Sequence, residues 1–211
     1  MARGEAAKRD DLAALAERVR ACRFCIDAPR GGPLPRQPRP VLVVSATARI
    51  AVCGQAPGAR VHASGVPFSD PSGVRLRSWM GVTEAEFYDP ARIAIVPMGL
   101  CFPGHDAKGG DLPPRPECAR HWHGEVFAAM PQLELLLLIG RYAHQWHLGP
   151  HARRTSSETV ADWAPIFARP APRRMLPLPH PSWRNNAWLS SRPWFEQSLL
   201  PVLRREVRLR V

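Results

Sequence analysis

Lysine is nearly absent from this chain. Only Lys8 and Lys108 carry an ε-amine, yet Lys and Arg together number 29 against 18 Asp and Glu. The formal charge of +11 and the pI near 10.8 therefore come almost wholly from arginine. With many Ala and Pro, this suits the codon bias of a GC-rich genome. A basic balance of this size also suits a polyanionic partner, nucleic acid first. Long hydrophobic runs are missing too. No apolar run is longer than Leu135–Ile139, far too short to span a bilayer. The segment Met1–Asp10 is polar and has no apolar signal-type core. The expectation is a soluble, cytoplasmic protein with no membrane partner. An even cysteine count is also lacking. Five cysteines without a signal segment argue against a secreted disulfide scaffold and favour metal or cluster ligation.

What is present is a regular alternation. Leu12, Leu15, Ala16 and Val19 recur at helical spacing and predict an amphipathic helix over 10–21, which runs into Cys22-Arg23-Phe24-Cys25. Residues 28–40 hold five prolines and predict a loop. Val41–Ser45 predicts a short strand. Arg49–Cys53, Arg92–Val96, Glu134–Ile139 and Arg174–Leu178 predict four further strands. Helices are expected over 72–81, 117–130, 141–148, 157–167 and 196–208, the last with Arg204, Arg205 and Arg208 near its C-terminal end. Strands alternating with helices imply a three-layer α/β/α sandwich around a mostly parallel four-stranded sheet. The chain, 1–211, reads as one domain: helix and cysteine pair 10–25, proline-rich loop 28–40, α/β core 41–208. Ligands of such sheets bind at the carboxyl ends of the strands. The unusual residues follow those ends: Gly54–Gly58, Pro97–Gly104, Gly140–Tyr142 and Pro179–Arg184.

Cys22 and Cys25 lie two residues apart after a helix, a spacing that lets two thiolates grip one centre. Cys101 follows a strand, and Cys118 opens a helix after the loop Phe102–Pro116. Four soft thiolates suit an iron–sulfur cluster or tetrahedral zinc. The wide split of the second pair fits a cluster that ties distant loops together. Inert buried thiols are the plain alternative. Cys53 ends a strand among apolar neighbours and reads as a small buried hydrophobe.

Two loops carry candidate chemistry. Gly54-Gln55-Ala56-Pro57-Gly58 is a turn through which the backbone can approach a ligand closely. In the following Pro67–Gly73, Phe68 can stack on a planar base. Asp70 is the local carboxylate, with a helix N-cap as its plain reading. His180-Pro181-Ser182-Trp183-Arg184-Asn185 emerges after the last strand. There His180 can donate to charge growing on a leaving group, Ser182 can hold a phosphate, and Trp183 and Arg184 can enter a groove as a wedge.

Together these segments resemble the uracil-DNA glycosylase superfamily, in its iron–sulfur branches, families 4 and 5. Gly54–Gly58 resembles motif 1, and Pro67–Gly73 its continuation. Cys101-Phe102-Pro103-Gly104 resembles the family's Cys-x-Pro-Pro-Gly-Asn segment, and Pro114–Cys118 its entry into a helix. Leu138-Ile139-Gly140 with Ala143 resembles the third strand and its exit, and His180-Pro181-Ser182 resembles motif 2.

The resemblance implies a uracil-DNA glycosylase-like fold and a monofunctional glycosylase acting on DNA that holds a damaged or deaminated base, working as a monomer. It implies a 4Fe-4S cluster on Cys22, Cys25, Cys101 and Cys118. It also implies base flipping, with Gly54, Gln55, Ala56, Phe68, Met98 and His180 around the base. Asp70, His180 and Gln55 stand at the catalytic positions, and Ser182, Trp183, Arg184 and Asn185 on the DNA. Two positions depart from the family pattern. Gln55 replaces the motif-1 acid, which moves the expected base to Asp70. Pro97, with Met98 next, stands where family 4 has the base-reading Asn. The alternative expectation is a glycosylase-like DNA-binding module that has lost cleavage. A zinc-stabilised nucleotide-binding protein is the third.

Overall fold

The computed structural model describes the backbone of residues 2–211 and the side chains of residues 11–211. The polar character read for Met1–Asp10, Lys8 included, belongs to side chains outside the described residues. Four strands form one parallel sheet: β1 Ile50–Cys53, β2 Ile93–Ile95, β3 Leu135–Ile139 and β4 Arg174–Leu178. Their spatial order is β2-β1-β3-β4, with Val52 beside Ile95 and Leu137, and Leu137 beside Leu176. Pro177 is tolerated because β4 is an edge strand, where a missing N–H costs no inner ladder bond.

The strands are apolar throughout because both faces are covered. Ala51, Cys53, Ala94, Leu136 and Leu138 face one layer, with Leu15 and Val19 of α1 (Ala2–Arg20) and the helices that follow β2 and β3. Ile50, Val52, Ile93, Leu137 and Leu176 face the other. There they meet Leu76 and Met80 of a helix that follows β1, and Leu203 and Val207 near the C-terminal end. The alternation of period two thus divides one run of apolar residues between two cores, and the fold is a three-layer α/β/α sandwich.

Several boundaries differ from expectation, each for a local reason. The first helix begins at Ala2. After it come α2 (Phe24–Asp27) and, past motif 1, α3 (Ala59–Ser64), α4 (Pro71–Met80) and α5 (Glu84–Tyr88). Periodicity missed α2, α3 and α5 because they are too short to show a stripe. The α5 signal was its capping box, in which Thr83 and Glu86 exchange bonds. Val41–Ser45 is not a strand of the sheet. Val43 alone bridges antiparallel to Ile95, and so covers the outer edge of β2. After β2 and β3 come α6 (Pro116–Ala128) and α7 (Arg141–Leu148). The expected helix 157–167 is two, α8 (Ser156–Ala161) and α9 (Trp163–Ala168). Pro165 has no N–H for the carbonyl of Ala161, so one continuous helix is interrupted there. After the short α10 (Asn186–Ser190), the last expected helix opens with a wide π turn over Phe195–Leu199 before α11 (Leu200–Arg208). Pro201 denies it a regular bond in the same way.

Two buried histidines fix the strand ends. His144 of α7 places Nε2 2.9 Å from the Leu138 carbonyl and 3.1 Å from that of Leu178, so one ring N–H serves the ends of both β3 and β4. His123 of α6 places Nε2 3.0 Å from the Pro97 carbonyl, just past β2. Burial strips water from the charged form and holds both imidazoles down to about 4, against the smaller opposing pull of the carbonyls. The unfolded chain takes up these protons near the ordinary imidazole value, before the folded protein does. Stability from this source is therefore complete above about pH 6.5 and is lost as pH falls toward 4. The expected loss is on the order of 3 kcal/mol per histidine. Urea midpoints measured from pH 7.5 to 4.5 check this, and His144→Gln, which keeps a donor but does not titrate, should flatten the profile.

Candidate active site

The loops after β1, β2 and β4 meet around two adjoining cavities. The outer one, of about 550 Å³, is open to solvent, and the inner one is about 90 Å³. Gln55, Ala56, Asp70, Ser72, Asp111 and His180 line both. Gly54, Phe68, Pro97 and Ile95 add apolar wall to the inner cavity. Segments far apart in sequence thus converge: motif 1 from β1, the N-terminus of α4, the end of β2 and the loop after β4.

Phe68 has φ of 55°, the only non-glycine residue described in the left-handed region, at a cost of about 1–2 kcal/mol. Its carbonyl is held by the Tyr88 hydroxyl at 3.0 Å, and the same hydroxyl lies 3.0 Å from the Pro67 carbonyl. Its ring meets Phe87 edge-on, with centroids 6.0 Å apart. Two glycines leave room for it. A Cβ at Gly54 would stand 3.3 Å from the ring's Cζ, and one at Gly73 would stand 1.7 Å from the Phe68 carbonyl oxygen.

Asp70 caps α4: its Oδ1 accepts from the Gly73 N–H at 3.2 Å. The cap and the cavity wall are therefore the same residue, and Oδ2 accepts no hydrogen bond among the described residues. His180 is half-buried in the wall of both cavities. Burial lowers its pKa, while the charges of Asp70 and Asp111 oppose that shift. The ring is neutral near pH 7 and can donate one N–H without carrying charge. The Asn185 amide donates to the His180 carbonyl at 2.6 Å and so braces the loop. Ser182 lines the outer cavity, and its carbonyl accepts from Arg75 at 3.0 Å. Trp183 is 73% exposed, with the Arg184 guanidinium 5.9 Å from its ring centroid. Gln55 directs its amide N–H to the Leu112 carbonyl at 3.3 Å. Met98 is a correction: it lines neither cavity and is buried in the core shared with α6, with only its backbone N–H bonded to Gly54.

Sequence reasoning missed Arg60, Arg75 and Asp111, all in the outer wall. Asp111 lies far in sequence from the segment after β1 that holds Asp70, in a loop without apolar periodicity. The available signal was the Gly-Gly-Asp turn in the loop before Cys118.

Cys22, Cys25, Cys101 and Cys118 line a separate small cavity with Leu34, Pro38, Pro40, Leu100 and Trp122. The Trp122 Nε1–H donates to the Cys22 sulfur at 3.3 Å, and the Leu100 N–H to the Cys118 sulfur at 3.4 Å. All five cysteines are free thiols. Burial pushes the Cys101 and Cys118 thiols up to about 12. Among the described residues, no three His, Cys, Asp or Glu side chains stand where they would hold a single metal ion. The four sulfurs line a space instead of closing on a point. Cys53 lies apart, wholly buried in the sheet.

The close fit at Gly73 makes a prediction independent of activity. Gly73→Ala forces the Phe68 carbonyl away and should cost about 3 kcal/mol or more, read from the denaturation midpoint. Ser72→Ala beside it should cost far less.

A family model, that of the uracil DNA glycosylase superfamily, matches residues 42–204. The matched span takes in all four strands, motif 1, Phe68, Asp70 and His180. The sheet order, the layers and the site loops agree with that assignment, and the chain belongs to the uracil DNA glycosylase superfamily.

Proposed function

We propose that this protein is a monofunctional DNA glycosylase that removes a deaminated base, uracil or a close relative, from a nucleotide swung out of DNA. The observation that carries the reading is the inner cavity. Phe68 and Asp70 from the loop before α4, and His180 from the loop after β4, share its wall at the carboxyl edge of the sheet. In this reading the base enters beside the Phe68 ring. The glycosidic bond breaks with its electron pair passing to the base, and the neutral His180 donates a hydrogen bond to the charge that grows there. The sugar passes through an oxocarbenium-like state. A water oxygen then bonds to C1′, and its proton passes to the Asp70 carboxylate. Arg60, Arg75 and Arg184 around the mouth suit backbone phosphates, and exposed Trp183 suits the space left by the flipped base. Pro97 has no edge-reading amide, so selection in this cavity rests on shape and on His180.

A second reading, a DNA-binding module without cleavage, draws on Gln55, whose amide is spent on the Leu112 carbonyl. Single-turnover assays with oligonucleotides containing uracil, hypoxanthine or xanthine separate the two. Base release from at least one is expected, with His180→Ala and Asp70→Asn each slower by about 10²-fold or more. Tight, salt-sensitive DNA binding with no abasic product from any of the three would favour the module.

We propose further that Cys22, Cys25, Cys101 and Cys118 hold a four-iron, four-sulfur cluster. The apolar cavity they share and the two N–H donors directed at their sulfurs support it. Such a group would tie the turn before α2 to the start of α6 and supply no chemistry to base removal. Purified protein should be brown and contain about four iron atoms per chain. A colourless zinc protein would overturn this.

A further inference from the structure

The 102–116 loop contains a small hairpin that folds over the cavity. Its rungs are the Leu112 N–H to the Gly104 carbonyl at 2.9 Å, the Asp106 N–H to the Gly110 carbonyl at 2.8 Å, and an antiparallel bridge between His105 and Asp111. Asp106 tightens the tip by accepting from the Lys108 and Gly110 N–H groups at 2.8 and 2.9 Å. The hairpin sets one side chain into both cavities, that of Asp111.

We propose that Asp111 is a second carboxylate of the active site, acting across the cavity from Asp70 on the positive charge of the reacting sugar. The inference rests on the glycosylase reading above and deepens it. Three observations carry it. Asp111 stands against motif 1: its Oδ2 lies 3.4 Å from where a side chain at Gly58 would begin, and the next residue, Leu112, receives the Gln55 amide. The negative charge that position 55 lacks is thus returned to the same loop from outside it. Asp111 also has a neighbour at its other oxygen, with Oδ1 3.2 Å from His105 Nε2, and the residue lines both cavities. Finally, Asp70 and Asp111 are the two carboxylates whose fields reach His180, one from α4 and one from the hairpin. An oxocarbenium-like centre between two carboxylates is a recurring solution in glycosidic cleavage. Here Asp70 takes the proton of the attacking water. Asp111 gives up no proton and takes none; its carboxylate lowers the energy of the cationic sugar while the pair of electrons leaves with the base.

The test uses Asp111→Asn and Asp111→Glu in the full chain, with single-turnover base release, DNA affinity and thermal midpoint measured for each. Asp111→Asn should slow release by about 10²-fold. DNA affinity should be unchanged or tighter, because a negative charge near the phosphates is removed. Asp111→Glu, which keeps the charge, should recover part of the rate. Asp111 is exposed at the hairpin, so the thermal midpoint should move little. A variant that instead loses affinity, rate and thermal midpoint together would assign Asp111 to the hairpin's fold and overturn the proposal. Wild-type cleavage with an equally fast Asp111→Asn variant would overturn the role of Asp111 alone. No release by the wild type from any substrate would overturn the glycosylase reading and this proposal with it.

Discussion

Strands of three to five residues leave little ladder to hold their ends level, and the chemistry of this fold hangs from those ends. The last carbonyls of a parallel sheet have no further strand residue to donate to them. Here helices add donors: one ring N–H of His144 spans the ends of β3 and β4, beside the Gly140 N–H at Leu178, and His123 serves the end of β2. Each histidine lies in the helix that follows a strand it secures, so the return of the chain fixes the exit of the loop. The opposite edge of the sheet is held differently. Glu206, buried among Arg174, Arg205 and Arg210, and Glu134 with Arg49 form an ion network below the strands. One edge is tied by charge, the other by neutral imidazole. A neutral tie leaves the electrostatics of the cavity to Asp70, Asp111 and the arginines around its mouth.

Much of the architecture was legible because it depends on local pattern. Four apolar runs bounded by turn residues can only be strands of a sheet covered on both sides, and the helices between them set the layers. Gly54–Gly58, Asp70 and His180 were readable because each follows or precedes such an element directly. The rest required three dimensions. Asp111 belongs to a segment without apolar periodicity, and only the hairpin places it over motif 1. Met98 was misassigned because adjacency in sequence to Pro97 does not imply the same face: successive residues of an extended chain point to opposite sides. The brace that Asn185 gives to the His180 carbonyl has no local signature either. Pro165 and Pro201 gave clear breaks that the apolar pattern overrode.

The cysteine cavity lies on the side of α1 and α6, away from Phe68 and His180. It gathers side chains from the turn before α2, the loop after β2 and the first turn of α6. The loop between Cys101 and Cys118 is the one that carries the hairpin. Its two ends therefore lie at this cavity while its middle crosses the one lined by Asp70 and His180. A loop rich in proline and glycine would otherwise have many conformations to lose on folding.

Phe68 has a further consequence. Its backbone is held in a conformation that an aromatic residue avoids, and its carbonyl is fixed between a tyrosine hydroxyl and Gly73, which admits no side chain. Such a shelf cannot slide aside for a bulkier guest. For a base entering as proposed, such a wall makes discrimination a matter of mechanical tolerance first: size is tested before any hydrogen bond is offered.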